Sequence, residues 1–90
     1  MQSFTTSKKE IFTKALGKTI LKLKKDLNLS SRAIAYSIDL SKTTILLAEK
    51  GKLDPQITTF CKIAEAFNVE PSDLLKMVKK ELPNNFTFMD

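Results

Sequence analysis

Histidine is absent from the 90 residues and cysteine occurs once. Without imidazole the commonest general base and metal ligand is missing. One thiol can close neither an internal disulfide nor a cysteine-based zinc site. With no glycine-rich phosphate loop either, most enzyme classes are set aside, and neither cofactor nor metal is expected. Glycine and proline are nearly as scarce, at two and three residues. That leaves little material for the turns of a sheet protein and favours helices on short connections. No run approaches the roughly 18 apolar residues a membrane-spanning helix needs. The opening stretch, MQSFTTSKKE, lacks the apolar core of a signal peptide. The expectation is a soluble, intracellular, all-α protein with no membrane partner.

An apolar content of 42% suits one modest core, and the length leaves no room for a separate effector domain. The net charge of +5 is unevenly spread. Residues 1–30 hold seven lysines against Glu10 and Asp26, the middle third is close to neutral, and residues 61–90 carry four lysines against five acids. A basic amino-terminal half and a near-neutral carboxy-terminal half fit a protein with one face toward a polyanion and another toward protein. A merely soluble basic surface is the plainer alternative.

Ser7, Lys8, Lys9 and Glu10 form a capping-box pattern that starts a first helix. Phe12, Leu16, Ile20, Leu23 and Leu27 draw one apolar stripe along it, while Lys14, Lys18, Lys22 and Lys25 line another face. That helix is expected to run to about Asn28. Gly17 in its interior costs about 1 kcal/mol against alanine, which is either tolerated or a sign of a close helix contact. Ser30 caps a second helix ending near Ser37 or Ile38. Asp39 and Leu40 make the turn, Ser41 caps a third helix, and Gly51 stops it. Ile57, Phe60, Cys61, Ile63, Ala64 and Phe67 define a fourth helix, with Cys61 read as a small core residue. Pro71 opens a fifth, with Leu74, Leu75 and Val78 inward, and Pro83 ends it. Phe86, Phe88 and Met89 are unusually apolar for a loose tail.

Residues 31–37 and 42–50, two short helices joined by a tight turn, are what a helix-turn-helix requires, although periodicity alone equally allows an ordinary helical bundle. The stretches LGKTILKLKKDLNLS, AIAYSIDLSKTTILLAEKGK and DPQITTFCKIAEAFNVEPSDLL settle on more. In their register, residues 16–78 resemble the Cro and phage-repressor type of helix-turn-helix domain, the xenobiotic-response-element family. The matching positions include Leu16, Gly17, Ile20, Leu29, Ser30, Ile34, Ala35, Leu40, Ser41, Thr44, Ile45, Glu49, Gly51, Pro55, Ile63, Ala64 and Phe67. Residues 1–15 then lengthen the first helix, and 79–90 form the end of the last helix and a tail.

The resemblance implies a five-helix, lambda-repressor-like fold and a cytoplasmic, nucleoid-associated regulator acting as a repressor. It implies double-stranded DNA as partner, read by a homodimer over two half-sites. Carried over by position, base contacts would come from Ser31, Lys42, Thr43 and Leu47, with Leu46 nearby. Thr44 would touch phosphate or cap the helix, and Arg32, Lys50 and Lys52 would touch phosphates, with Lys18 or Lys22 as further candidates. Glu49 would pair with Lys24, where the family often has arginine, as a structural brace. Leu75 and Val78 of the fifth helix, with Phe86, Phe88 and Met89, are the candidates for a dimer interface.

Two departures qualify this reading. Ser31 stands where the family usually has a glutamine, and it is too short to grip adenine in bidentate fashion. Leu46 and Leu47 are adjacent, so both cannot face one core. An exposed leucine there reads thymine methyls, or belongs to a protein-interaction module, an antitoxin-like or anti-repressor partner on the same fold.

Overall fold

The computed structural model describes residues 7–37 and 41–89, without the side chains of Ser31, Ala35 and Ser37. The described chain is all-α, with five helices: α1 Lys8–Leu27, α2 Ser31–Ser37, α3 Lys42–Glu49, α4 Ile57–Ala66 and α5 Pro71–Glu81. The turn assigned to Ile38, Asp39 and Leu40 lies outside the described residues. The starting signals act locally. Ser7 Oγ accepts from the Glu10 amide at 3.1 Å and the Glu10 carboxylate accepts from the Ser7 amide at 3.3 Å, closing the capping box. Ser30 Oγ accepts from the Ala33 amide, and Ser41 Oγ from the Thr44 amide, each at 3.1 Å.

With so little glycine, asparagine makes the left-handed turns. Asn28, Asn68 and Asn85 sit at φ of 54°, 59° and 62°, a region where asparagine is the best-tolerated side chain after glycine itself. At Asn28 the turn is fixed by the Leu29 amide donating to the Lys24 carbonyl at 2.9 Å.

The core joins Leu16 and Ile20 of α1, Ile34 of α2, Ile45 and Ala48 of α3, Phe60, Ile63, Ala64 and Phe67 from α4 and its end, and Leu74 and Val78 of α5. α1 is the spine and packs chiefly against α5 and α3. Burying each large aliphatic in this set contributes about 1.5–3 kcal/mol. Four placements differ from the sequence pattern. Leu27 is exposed because α1 has by then run past the core. Ile57 is exposed because it opens α4 before that helix reaches the core, and Cys61 is only half-buried on the flank of the same helix. Leu75 is 43% exposed, since one step of 100° from the fully buried Leu74 carries it off the inner face.

Val78 is corrected as an interface candidate. It is 0% exposed and sits in the core of its own chain, where no second chain can reach it. The tail is not loose. It returns over the start of α1, with the Phe12 and Phe88 ring centres 5.7 Å apart and Phe86 edge-on to Phe88 at 4.9 Å. Lys8 Nζ donates to the Thr87 carbonyl at 2.6 Å and lies 5.2 Å from the Phe86 ring centre.

Candidate nucleic-acid interface

α3 is short, and its placement depends on glycine at two points. A Cβ at Gly17 would lie 2.7 Å from the Glu49 carbonyl oxygen, 2.8 Å from that of Ala48 and 3.0 Å from the Gly51 nitrogen. These are backbone atoms, so α3 can lie on α1 at this distance only because residue 17 lacks a side chain. Gly51 answers from the other side. It ends α3 at φ 74°, and a Cβ there would come within 2.9 Å of the Lys14 Cα. The Lys52 amide then donates to the Leu47 carbonyl at 2.9 Å, closing the helix end. Both glycines of the chain are spent on one helix contact, which decides the two readings of Gly17 in favour of close approach.

The far side of α3 is pinned by charge. Lys24 Nζ donates to Glu49 Oε1 at 2.8 Å, with the two side chains only 18% and 10% exposed. The sheltered position keeps this pair from the near-zero value of surface ion pairs, and a charged hydrogen bond of this kind contributes about 1.5–3 kcal/mol. Unlike arginine, lysine holds Glu49 by a point contact and leaves no fork to fix the angle.

α3 therefore presents a defined outer surface. Lys42 and Thr43 are exposed, Leu46 is half-buried and Leu47 is 38% exposed. Of the adjacent leucines, Leu47 is the one turned further outward. Thr44 Oγ1 lies 2.8 Å from Ser41 Oγ, so its hydroxyl serves the cap. At the amino-terminal ends of α2 and α3, an open depression is lined by Lys24, Leu29, Ser30, Arg32 and Lys42. Arg32 and Lys42 on one concave rim, with Lys24 beside them already held by Glu49, favour an anionic oxygen ligand. Lys50 caps the carboxy-terminal end of α3 and Lys52 follows Gly51, both exposed. Ser31 opens α2, but its side chain lies outside the described residues.

Residues 17–80 match the helix-turn-helix domain family. The chain belongs to that family. The match takes in all of α2, α3 and α4 and reaches into α5, so the helix-turn-helix formed by α2 and α3 lies at its centre. An uncharacterized helix-turn-helix-type transcriptional regulator of Methanocaldococcus jannaschii is 38% identical over 47 residues, which are 52% of this chain and 71% of that protein. The chain is thus a helix-turn-helix transcriptional regulator by family.

Solved structures agree on the fold. The restriction-modification controller protein C.Esp1396I, as a tetramer in complex with its natural 35 base-pair operator, superposes with a TM-score of 0.71 at 20% identity, over 89% of this chain and 96% of that one. A transcriptional regulator of a helix-turn-helix family from Vibrio cholerae gives 0.72 at 26% identity, over 91% of this chain and 46% of its own length. This chain shares their fold, its own five helices taking the lambda-repressor-like arrangement. Sequence reasoning missed the ion pair between Lys22 of α1 and Glu81 of α5, and no local signal announces it, because 59 residues separate the partners. Among the described residues, no helix is long and apolar enough to cross a membrane.

Proposed function

We propose that the protein is a sequence-specific regulator of transcription, a repressor that binds double-stranded DNA as a homodimer over two related half-sites. The observation that carries this reading is the outer surface of α3, where Lys42, Thr43 and Leu47 project beside the depression rimmed by Lys24, Arg32 and Lys42. Laid in a major groove, Lys42 donates to guanine O6 or N7, Thr43 donates, accepts or offers its methyl, and Leu47 packs on a thymine methyl. Leu46, half-buried, lies beside Leu47, and Ser31 at the start of α2 is a further candidate for a base contact. Arg32, Lys50 and Lys52 hold phosphates on either side. Lys24 and Glu49 tie α3 to α1 by a single point contact.

The controller protein bound to its operator supports the same arrangement by shared fold, and its tetramer on DNA supports assembly of more than one copy. Leu75, Phe88 and Met89 are exposed apolar residues available to a second copy. Phe86, half-buried, stands edge-on to Phe88. The reading places the protein on the nucleoid of a prokaryote or of a phage-infected cell.

Exposed Leu47 also favours a second reading, a protein partner docked on the same helix. Salt separates the two. A protein neutralising several phosphates loses affinity with a log–log slope of about −0.9 per contact, whereas an apolar protein contact is nearly indifferent. Selection of duplexes from a random pool, followed by titration at rising salt, is expected to return a two-part site and a steep slope. No duplex binding at low salt would remove the regulator reading.

A further inference from the structure

The outer face of α1 is not used by the site described above. Lys14, Lys18, Lys22 and Lys25 lie within one arc of that helix, since steps of four, four and three residues keep side chains on one side. Lys22 is engaged with Glu81 at the edge of the arc. Lys14, Lys18 and Lys25 are exposed, and among the described residues no carboxylate lies within ion-pair distance of them. Glu81, which engages Lys22, also lines the depression beside Lys14 and Lys18 and offsets the row at that edge alone; the remaining like charges cost folding energy through self-repulsion, and nothing in the packing of α1 requires them.

The row is also continuous with the DNA-facing surface. Lys14 lies directly against Gly51, the residue between Lys50 and Lys52. The basic row of α1 and the two lysines that flank Gly51 therefore meet where α1 touches the end of α3. At 1.5 Å per residue, Lys14 to Lys25 spans about 16 Å along the helix, the length of about five base pairs of duplex.

We propose that this face of α1 binds the phosphate backbone of the DNA flanking the half-site, so that the duplex bends round from α3 onto Lys14, Lys18 and Lys25. The inference rests on the DNA-binding reading above. Continuity with Lys50 and Lys52 selects flanking duplex over an acidic protein, which would not need to share an edge with α3.

The test uses the full chain and a triple variant, K14Q, K18Q and K25Q. A control variant, K62Q, K76Q and K79Q, removes the same charge from exposed positions elsewhere. Fluorescein-labelled mixed-sequence duplexes of about 12 and about 30 base pairs, roughly one and three helical turns, are titrated at salt between about 50 and 200 mM. Thermal melts check that each variant is folded.

On the long duplex the triple variant is expected to show a log–log slope shallower by about 2.7, which is about a 40-fold smaller loss of affinity across that salt range. On the short duplex it is expected to match the unmodified protein, and the control variant is expected to match it on both. Equal slopes on the long duplex overturn the proposal. So does a loss shared by both duplex lengths, or one reproduced by the control, because charge in general would then be the cause. If the unmodified protein binds neither duplex, the regulator reading itself fails and takes this one with it; binding with an unchanged triple variant refutes only the flanking contact.

Discussion

Replacing Gly17 with alanine sets two effects of known sign against each other. In an exposed helix the change gains about 1 kcal/mol, because alanine is the better helix former. Here the new methyl meets two carbonyl oxygens at 2.7 and 2.8 Å and the Gly51 nitrogen at 3.0 Å. Forcing a methyl into a packed contact costs about 1–3 kcal/mol, and the upper end applies because backbone atoms cannot rotate away. The net result is a loss of about 1–2 kcal/mol. In a domain of this size each kcal/mol moves the midpoint by about 4–8 °C, so Gly17→Ala is expected to melt about 5–15 °C lower. Circular dichroism melts of both proteins, at one concentration and pH, measure it directly. DNA affinity should fall with it, since relief of the clash must lift the carboxy-terminal end of α3 off α1. A midpoint that rises would refute the reasoning, since helix propensity would then have outweighed the supposed contact.

Gly51→Ala combines strain at φ 74° of about 1–2 kcal/mol with a 2.9 Å approach to the Lys14 Cα, and should melt at least as low. Glu49→Gln leaves the sheltered Lys24 ammonium with a weaker acceptor and is expected to lose about 1–2 kcal/mol in a denaturant titration, while Lys24→Arg should keep or improve stability by offering a fork; equal melting of Glu49→Gln and the parent would show the brace to be idle. Lys42→Ala should cost about 1–3 kcal/mol and relax preference at one base position in a repeated duplex selection, whereas Lys50→Gln should flatten the salt slope by about 0.9 and leave the selected sequence unchanged. Phe88→Ala removes the partner of Phe12 and Phe86 and should lower stability by about 0.5–1.5 kcal/mol; sedimentation of the same variant shows whether the exposed edge of that cluster also joins two copies.

Much of the fold was legible because its signals are local. The Ser7 and Glu10 box, the Ser30 and Ser41 caps and the Asn28 and Gly51 stops each act within one helical turn, and each lies where the pattern puts it. The buried stripe of α1 followed from periodicity through Ile20 and failed only at Leu27, where the helix outlasts the core. Val78 is buried as its spacing requires, and Leu75 departs from the expected inward position for a related reason. Periodicity tells which residues share a face, but the width of the buried arc depends on how deeply α4 and α1 embrace α5.

At the candidate site, the sequence by itself determined the residue types on α3 and the basic character of the surface around it, since composition and spacing are properties of the chain. It also carried the family, through many separated positions in register. Tertiary structure alone decided that Gly17 and Gly51 serve a single helix crossing, that Leu47 rather than Leu46 is the more exposed of the pair, and that the tail folds onto Phe12 and Lys8. It also decided that Lys14 stands against the end of the third helix. Each of these is a contact between residues far apart in the chain, where the deciding quantity is a distance of a few ångströms that no local propensity encodes.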